Sequence, residues 1–178
     1  MASRNFNPVP WIDGITPLRL AVTGRPHGHE HLSDWLNHAR GQGVDLIVSA
    51  LQEREQHAFG LTRQQELCAA AGITYVNFPV LDHSVPDNMP AVEELAHTLF
   101  AALTRSKGVL VHCYAGIGRS VLIASCALAV AGIKPVRAFE LIGKARGLEV
   151  PDTEEQARWV HDFVEYINTP KDESEPAA

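Results

Sequence analysis

The sequence predicts an α/β fold with a mainly parallel central sheet of four to five strands flanked by helices. Short apolar runs alternate along the chain with segments whose apolar residues recur at helical spacing, which is typical of a parallel α/β sheet. With 178 residues and 46% hydrophobic content, the chain is long enough for one domain with its own core. The predicted strands cover residues 18–22, 44–49, 73–78 and 108–112.

Residues 1–17 contain three prolines and little periodicity, so we predict an N-terminal arm laid over the domain and anchored by Trp11 and Ile12. The domain itself is expected to cover residues 18–168. Residues 169–178 contain two prolines and are mostly polar, which predicts a mobile C-terminal tail.

The loop after the first strand is rich in histidine. His27, His29 and His31 alternate there, but their spacing is not that of a helical or finger-type metal site, so a solvated loop or helix start is favoured over metal binding. A second interpretation places Arg25 and these histidines at the mouth of an active site, because loops at this end of a strand often line one.

Two helices are predicted in the first half of the chain. Apolar residues at helical spacing predict one from Leu32 to a stop near Gly41. Thr62 opens an apparent capping box and Gly72 supplies a stop, which predicts the second over residues 63–71. Residues 53–55, between these helices, are assigned to a loop.

A polar, glycine-bearing turn separates the fourth strand from a helix that is apolar on every side. It spans residues 112–120 and reads His-Cys-Tyr-Ala-Gly-Ile-Gly-Arg-Ser. Its backbone N–H groups would converge at the positive end of the helix, a geometry that attracts a phosphate-sized anion. Gly116 and Gly118 permit positive φ and close approach of backbone to ligand. The expected phosphate-binding residues are Tyr114, Ala115, Gly116, Ile117, Gly118 and Arg119.

Four side chains of this turn suit chemistry on a bound phosphate ester. Arg119 offers a planar fork of donors to two phosphoryl oxygens. A helix N-terminus and a nearby cation stabilise a thiolate, so Cys113 is expected to attack phosphorus and form a phosphocysteine. Ser120 is expected to hydrogen-bond the sulfur and stabilise it as a leaving group. His112 is expected to orient the turn from behind.

The leaving oxygen needs a proton donor, and the loop after the third strand supplies one. Asp82 follows that strand as Cys113 follows the fourth, so both lie at the carboxyl edge of one sheet. Asp87 is the rival, although its position just before a predicted helix over residues 90–105 also suits a helix cap.

Two further helices close the domain. Pro135 suits a first helical position and Gly147 a stop, which predicts a helix over residues 135–146. Thr153 and Gln156 then have the spacing of a capping box at the start of the last helix. On this reasoning alone the role of Gln156 is structural.

The turn, with its leading His-Cys and trailing Arg-Ser, resembles the signature of the cysteine-dependent protein tyrosine phosphatases. The chain is most similar to their small dual-specificity group, which includes kinase-associated phosphatase and the regenerating-liver phosphatases, and the resemblance is sharpest from Val44 to Gln156. It implies that the turn is a phosphatase P-loop. The family's acid precedes a short turn ending in Pro, as Asp82 precedes Pro86. The family also presents a Gln that positions the hydrolytic water, which implies this role for Gln156.

We therefore expect a metal-independent enzyme, without a cofactor, that hydrolyses phosphotyrosine on a protein or peptide. A shallow pocket would also admit phosphoserine and phosphothreonine. Three alternatives are a phosphoinositide phosphatase, a non-catalytic phosphate-binding module and a sulfurtransferase. Phosphoinositide phosphatases often carry Lys in the loop, whereas residues 114–118 include none. A phosphate-binding module would usually lack Cys113 or Asp82, and both are present. A sulfurtransferase needs no acid loop.

The composition of the chain indicates which partners and which cellular compartment to expect. The net charge of −6 argues against nucleic acid and anionic membranes. The three cysteines at 68, 113 and 126 lack metal-like spacing, which predicts a reducing compartment without disulfide or zinc. Cys68 is expected to be an ordinary buried thiol, with a resolving thiol for Cys113 as the alternative. Without an apolar signal segment or a membrane span, the protein is expected to be cytoplasmic, and we expect a monomer.

Overall fold

The computed structural model describes residues 6–170 and contains one sheet of four parallel strands. The strand order is β1-β4-β2-β3, so β4 lies between β1 and β2 and the edges are β1 and β3. This confirms the predicted parallel α/β fold. The strands are β1 (Arg19–Thr23), β2 (Leu46–Ser49), β3 (Thr74–Asn77) and β4 (Gly108–His112).

Seven α-helices connect and follow these strands within the described residues. Six of them lie where the sequence predicts a helix, and the six-residue α2 falls in the segment assigned to a loop. The helices are α1 (Leu32–Gly41), α2 (Glu53–Ala58), α3 (Gln64–Ala70), α4 (Met89–Thr104), α5 (Arg119–Val130), α6 (Pro135–Arg146) and α7 (Glu154–Asn168).

The sheet separates two apolar cores. On one face, Val48 and Val111 pack with buried side chains of α4, α5, α6 and α7. On the other face, Ile47 and Leu110 pack with side chains of α1 and α3. Because β4 and almost all of α5 are buried, the turn between them is held from both sides.

Two predicted helix caps are wrong. Arg63, not Thr62, stands at the N-cap of α3 and makes no capping hydrogen bond with its side chain. Asn88, not Asp87, caps α4, because its side-chain oxygen accepts from the N–H of Ala91 at 3.0 Å. Asn88 takes the N-cap position next to the helix, so Asp87 is left exposed and does not cap α4.

The described part of the N-terminal arm packs on β1. Ile12 is 5% exposed, its N–H donates to the carbonyl of Leu20, and Trp11 forms an isolated antiparallel bridge with Ala21. Residues 1–5 of the predicted arm, and 171–178 of the predicted tail, lie outside the described residues. No helix between residues 6 and 170 has both the length and the apolar character needed to cross a bilayer.

Candidate active site

Most of the predicted site residues line one cavity of about 210 Å³ at the carboxyl edge of the sheet; His112, Gly116 and Ser120 do not line it. Each strand ends at this edge, so the loops after β1, β2, β3 and β4 all approach it. The cavity is lined by Asp82, His83, Cys113, Tyr114, Ala115, Ile117, Gly118, Arg119, Asp152 and Gln156.

Cys113 lies at the base of the turn, with its side chain 3% exposed. The backbone N–H of Gly116 donates to its sulfur at 3.3 Å. The hydroxyl of Ser120, in the first turn of α5, lies 3.1 Å from the same sulfur. The sulfur is thus held by the backbone of the turn and by Ser120, close to the N-terminal end of α5.

The two glycines of the turn serve different purposes. Gly116 has φ of +75°, and a Cβ built there would lie 2.4 Å from the carbonyl carbon of Thr23. Glycine permits positive φ at position 118 as well, but Gly118 does not use it: its φ is −113°. A Cβ at Gly118 would lie 2.8 Å from Oε1 of Gln156. The second glycine therefore makes room for a neighbouring side chain.

Arg119 is 1% exposed and its guanidinium contacts two carboxylates. It forms a two-pronged ion pair with Glu55, Nη1 to Oε2 at 2.8 Å and Nη2 to Oε1 at 3.0 Å. Nη2 also lies 2.8 Å from Oδ1 of Asp82, and Nη1 donates to the carbonyl of Val80. Burial alone would lower the pKa of Arg119, but hydrogen bonding to Glu55 and the surrounding negative charges raise it above its ordinary value.

Glu55 is a site residue that the sequence interpretation missed. It lies in the first turn of α2, where it also accepts from the N–H of Gln52 at 2.9 Å. Burial alone would raise the pKa of Glu55, but hydrogen bonds from Arg119 and Gln52 lower it below its ordinary value. Glutamine is not among the usual N-cap residues, so the spacing of Gln52 and Glu55 gave no clear sequence signal of this short helix.

Asp82 stands in the cavity and is 48% exposed. Its Oδ2 lies 3.6 Å from Nε2 of His83, whose Nδ1 lies 3.0 Å from Oδ2 of Asp152. His83 therefore links the loop after β3 to the loop before α7. Asp87 does not line the cavity, which favours Asp82 over its rival as the acid.

Gln156 is 1% exposed and also faces the cavity. Its backbone N–H donates to Oγ1 of Thr153, so half of the predicted capping box forms. The side chain does not return to Thr153: its Nε2 donates to the carbonyl of Ser84 at 3.1 Å. Its Oε1 has no protein partner and lies against Gly118. The side chain is thus directed at the site and not at the helix end.

His112 lies behind the turn with no exposed surface, and it contacts a residue that sequence reasoning missed. Its Nε2 is 3.0 Å from Nε2 of the buried Gln64, so the amide donates and the ring nitrogen accepts. Its Nδ1 is 3.4 Å from the carbonyl of Cys113. Burial lowers the pKa of His112 to about 4, which keeps the ring neutral. No sequence signal marks Gln64, which had been interpreted as part of a helix start.

Arg146, in the last turn of α6, supports the turn from outside and was also missed. Its Nη2 donates to the carbonyl of Ala115 at 3.1 Å and its Nε to that of Gly116 at 3.3 Å. Burial lowers the pKa of Arg146. These two hydrogen bonds hold the backbone of the turn at Ala115 and Gly116.

The other two cysteines are far less suited to nucleophilic chemistry. Cys68 and Cys126 are fully buried, and burial raises the pKa of Cys68 to about 12 and that of Cys126 well above its ordinary value. Between residues 6 and 170, no cluster of three His, Cys, Asp or Glu side chains has an arrangement suited to a metal ion, the histidine-rich loop included.

Residues 21–133 match the model of a family described as "Polymorphic toxin system, DSP-PTPase phosphatase". The chain is 32% identical over 126 residues to cyclin-dependent kinase inhibitor 3 of Rattus norvegicus, covering 70% of this chain and 59% of the relative. Against the Homo sapiens protein of the same name it is 31% identical over 123 residues, or 68% of this chain and 58% of that one. The chain thus spans less than two thirds of the length of these relatives.

Solved structures share the fold. A kinase-associated phosphatase, whose catalytic-site cysteine is replaced by serine, superposes with a TM-score of 0.81 at 20% identity, over 94% of this chain and all of that one. The structure of PTPMT1 in complex with PI(5)P gives a TM-score of 0.70 at 18% identity, over 84% of this chain and 92% of that one.

Proposed function

Because the chain belongs to the DSP-PTPase phosphatase family, we propose that it hydrolyses phosphate monoesters of proteins through a phosphocysteine intermediate. The observation that supports this most directly is the juxtaposition of Cys113, Arg119 and Asp82 in one cavity. These groups are a nucleophile, an anion-binding fork and a proton donor, which are the three functions that the reaction requires.

In the first step, the phosphoryl oxygens bind the backbone N–H groups of residues 114–119 and the fork of Arg119. The sulfur of Cys113 attacks phosphorus as the bond from phosphorus to the leaving oxygen breaks. Asp82 gives its proton to that oxygen, so the product leaves as an alcohol. Preorganised donors supply the largest share of the rate, because they face the charge that develops on the phosphoryl oxygens.

In the second step, water attacks phosphorus and the bond between phosphorus and sulfur breaks. Asp82, now a carboxylate, accepts the proton of this water. Gln156 is proposed to position the water, since the residue lines the cavity and its Oε1 has no hydrogen-bond partner. Ser120 donates a hydrogen bond to the departing sulfur, from which it lies 3.1 Å away. His112 orients the turn through its contact with the carbonyl of Cys113.

We propose phosphotyrosine as the first substrate, with phosphoserine and phosphothreonine also accepted. The family and the relatives support a phosphorylated protein or peptide. A phosphoinositide is the second candidate, because a structural neighbour was solved in complex with PI(5)P. The lack of Lys in residues 114–118 favours the protein substrate.

We also propose that the protein acts as a monomer in the cytoplasm. All three cysteines are free thiols, which fits a reducing compartment.

Release of phosphate from p-nitrophenyl phosphate tests the proposed chemistry. We expect turnover that vanadate inhibits and that chelators do not change. A panel of phosphopeptides and inositol phospholipids then ranks the substrates by kcat/KM. The proposal is wrong if the folded protein binds vanadate without releasing phosphate from any substrate, which would indicate a phosphate-binding module.

A further inference from the structure

A cluster of one arginine and two aromatic rings adjoins the cavity through Tyr114, which lines it, and the catalytic steps do not use these side chains. The guanidinium carbon of Arg25 lies 4.4 Å from the ring centroid of Phe59 and 5.6 Å from that of Tyr114. The two rings are 5.2 Å apart. We call Arg25, Phe59 and Tyr114 the cationic ledge.

The ledge is held in place by the turn itself. The N–H of Arg25 donates to the carbonyl of Tyr114 at 2.9 Å. A Cβ at Gly24 would lie 3.1 Å from the same carbonyl oxygen, so the two backbones are nearly in contact. The backbone of Arg25 is therefore joined directly to the turn that carries the phosphate-binding N–H groups.

The charge of Arg25 is available to a ligand. Stacking on Phe59 and Tyr114 covers one face of the guanidinium, while the N–H groups at its edge stay accessible because the residue is exposed. Within residues 6–170, Arg25 forms no ion pair with a carboxylate of the chain. Tyr114 is 48% exposed, and its ring offers an apolar surface beside this charge.

The strand order places opposite charges on the two sides of the nucleophile. Arg25 follows the edge strand β1, Asp82 follows the other edge strand β3, and Cys113 follows β4 between them. The β3 side also carries Asp152, which lines the cavity. A substrate carboxylate would be repelled by Asp152 and attracted by Arg25.

We propose that the cationic ledge selects substrates in which an acidic side chain stands close to the phosphorylated residue, with Arg25 binding its carboxylate. This inference rests on the proposed phosphatase function and adds the sequence context of the substrate. Because the ion pair would be exposed, we expect it to raise kcat/KM by about two- to fivefold.

Phosphotyrosine peptides with a single Glu, placed at each of three positions before and after the phosphotyrosine, test the inference against the matching Gln peptides. We expect at least one position at which wild type prefers Glu. Arg25→Gln should remove that preference and Arg25→Glu should reverse it. The matched control is Arg105→Glu, which makes the same change of charge at an exposed arginine. Arg105 lies just after α4 and before the start of β4, at the amino ends of the strands.

The inference is overturned if wild type hydrolyses Glu and Gln peptides equally at every position, or if a Glu preference survives Arg25→Gln. Binding of the same peptides to Cys113→Ser separates this result from failure of the proposed function. If wild type hydrolyses none of them, the phosphatase proposal fails. In that case, the inference about the ledge would still be supported if Cys113→Ser binds Glu peptides more tightly than Gln peptides and Arg25→Gln removes this difference. It would be overturned if Cys113→Ser shows no such difference.

Discussion

Arg119 and Glu55, 64 positions apart in sequence, form the two-pronged ion pair that fixes the anion-binding fork of the site. Both side chains are largely buried, at 1% and 14% exposure. Without Glu55, the buried guanidinium would keep only Asp82 and the carbonyl of Val80 as partners, so its positive charge would be less well compensated. Glu55 thereby keeps the fork facing the cavity.

Glu55→Gln should lower kcat/KM by about 10- to 100-fold, because it replaces a charged hydrogen-bond acceptor with a neutral one. The folded state lowers the pKa of Glu55 from its ordinary value of 4.5. Its stabilisation is therefore present above about pH 4.5 and is lost as pH falls through the lower folded-state value. Glu53→Gln, at a 92% exposed position on the same helix, is the control and should leave both rate and acid unfolding unchanged.

Cys113→Ser should abolish turnover while the protein still binds vanadate or phosphate, because the anion contacts come from backbone N–H groups and Arg119. Steady-state hydrolysis and calorimetric titration with phosphate measure the two properties. Wild type quenched during turnover should carry a phosphoryl group on Cys113, detectable by mass spectrometry. Cys68→Ala, at a buried thiol outside the cavity, should remain active. Measurable hydrolysis by Cys113→Ser would reject the proposed nucleophile.

Asp82→Asn should lower kcat by about 10²- to 10⁴-fold on phenyl phosphate, whose leaving group needs a proton. The loss should be smaller on p-nitrophenyl phosphate, because nitrophenolate leaves without one. Asp87→Asn tests the rival position and should change neither rate. Equal losses in both variants, or a loss that is independent of the leaving group, would contradict the assignment of Asp82.

Gln156→Ala should slow the second step by about tenfold or more, because the attacking water loses its orientation. Rapid mixing with p-nitrophenyl phosphate should then show a burst of nitrophenol followed by a slow steady rate. Gln65→Ala, at an exposed glutamine of α3, is the matched control. Loss of the burst itself would place Gln156 in the first step instead.

The unfolding free energy of wild type should decrease as pH falls from about 6.5 to about 4. Burial lowers the pKa of His112 to about 4 in the folded protein from its ordinary 6.5. Between these two pH values, the unfolded chain therefore binds a proton that the folded chain does not. The unfolding free energy should fall by on the order of 3 kcal/mol over this pH range.

Urea titrations over this pH range measure the effect. His112→Gln should be less stable near neutral pH but should have a flatter pH dependence. His161→Gln, at an exposed position of α7, should keep the wild-type slope. If His112→Gln retains that slope as well, His112 is not the group responsible.

The elements with strong local signals were predictable. The bounds of α6 match the predicted 135–146, because Pro135 fixes its start and Gly147 ends it at φ of +65°. The phosphate-binding turn was predictable for a similar reason, since its glycines and its flanking strand and helix are contiguous in sequence. Asp82 required only the additional rule that parallel strands end at the same edge.

The supporting contacts were not predictable, because they join distant segments. Gln64 and His112 are 48 positions apart, and a buried polar pair leaves no periodic mark in either segment. A basic residue in the last turn of a helix is common, so nothing around Arg146 in sequence indicated its contacts with the turn. The helix that carries Glu55 has six residues, too few to show an apolar periodicity.

The proton donor and the nucleophile follow two strands that differ in burial. β4 is buried along its whole length between two neighbours, whereas β3 is an edge strand whose terminal residues are exposed. Fraying at that margin would withdraw Asp82 while the sulfur and its amide cradle stayed intact. On warming, we therefore expect turnover to be lost before oxyanion binding, and to return when β3 pairs with β2 again.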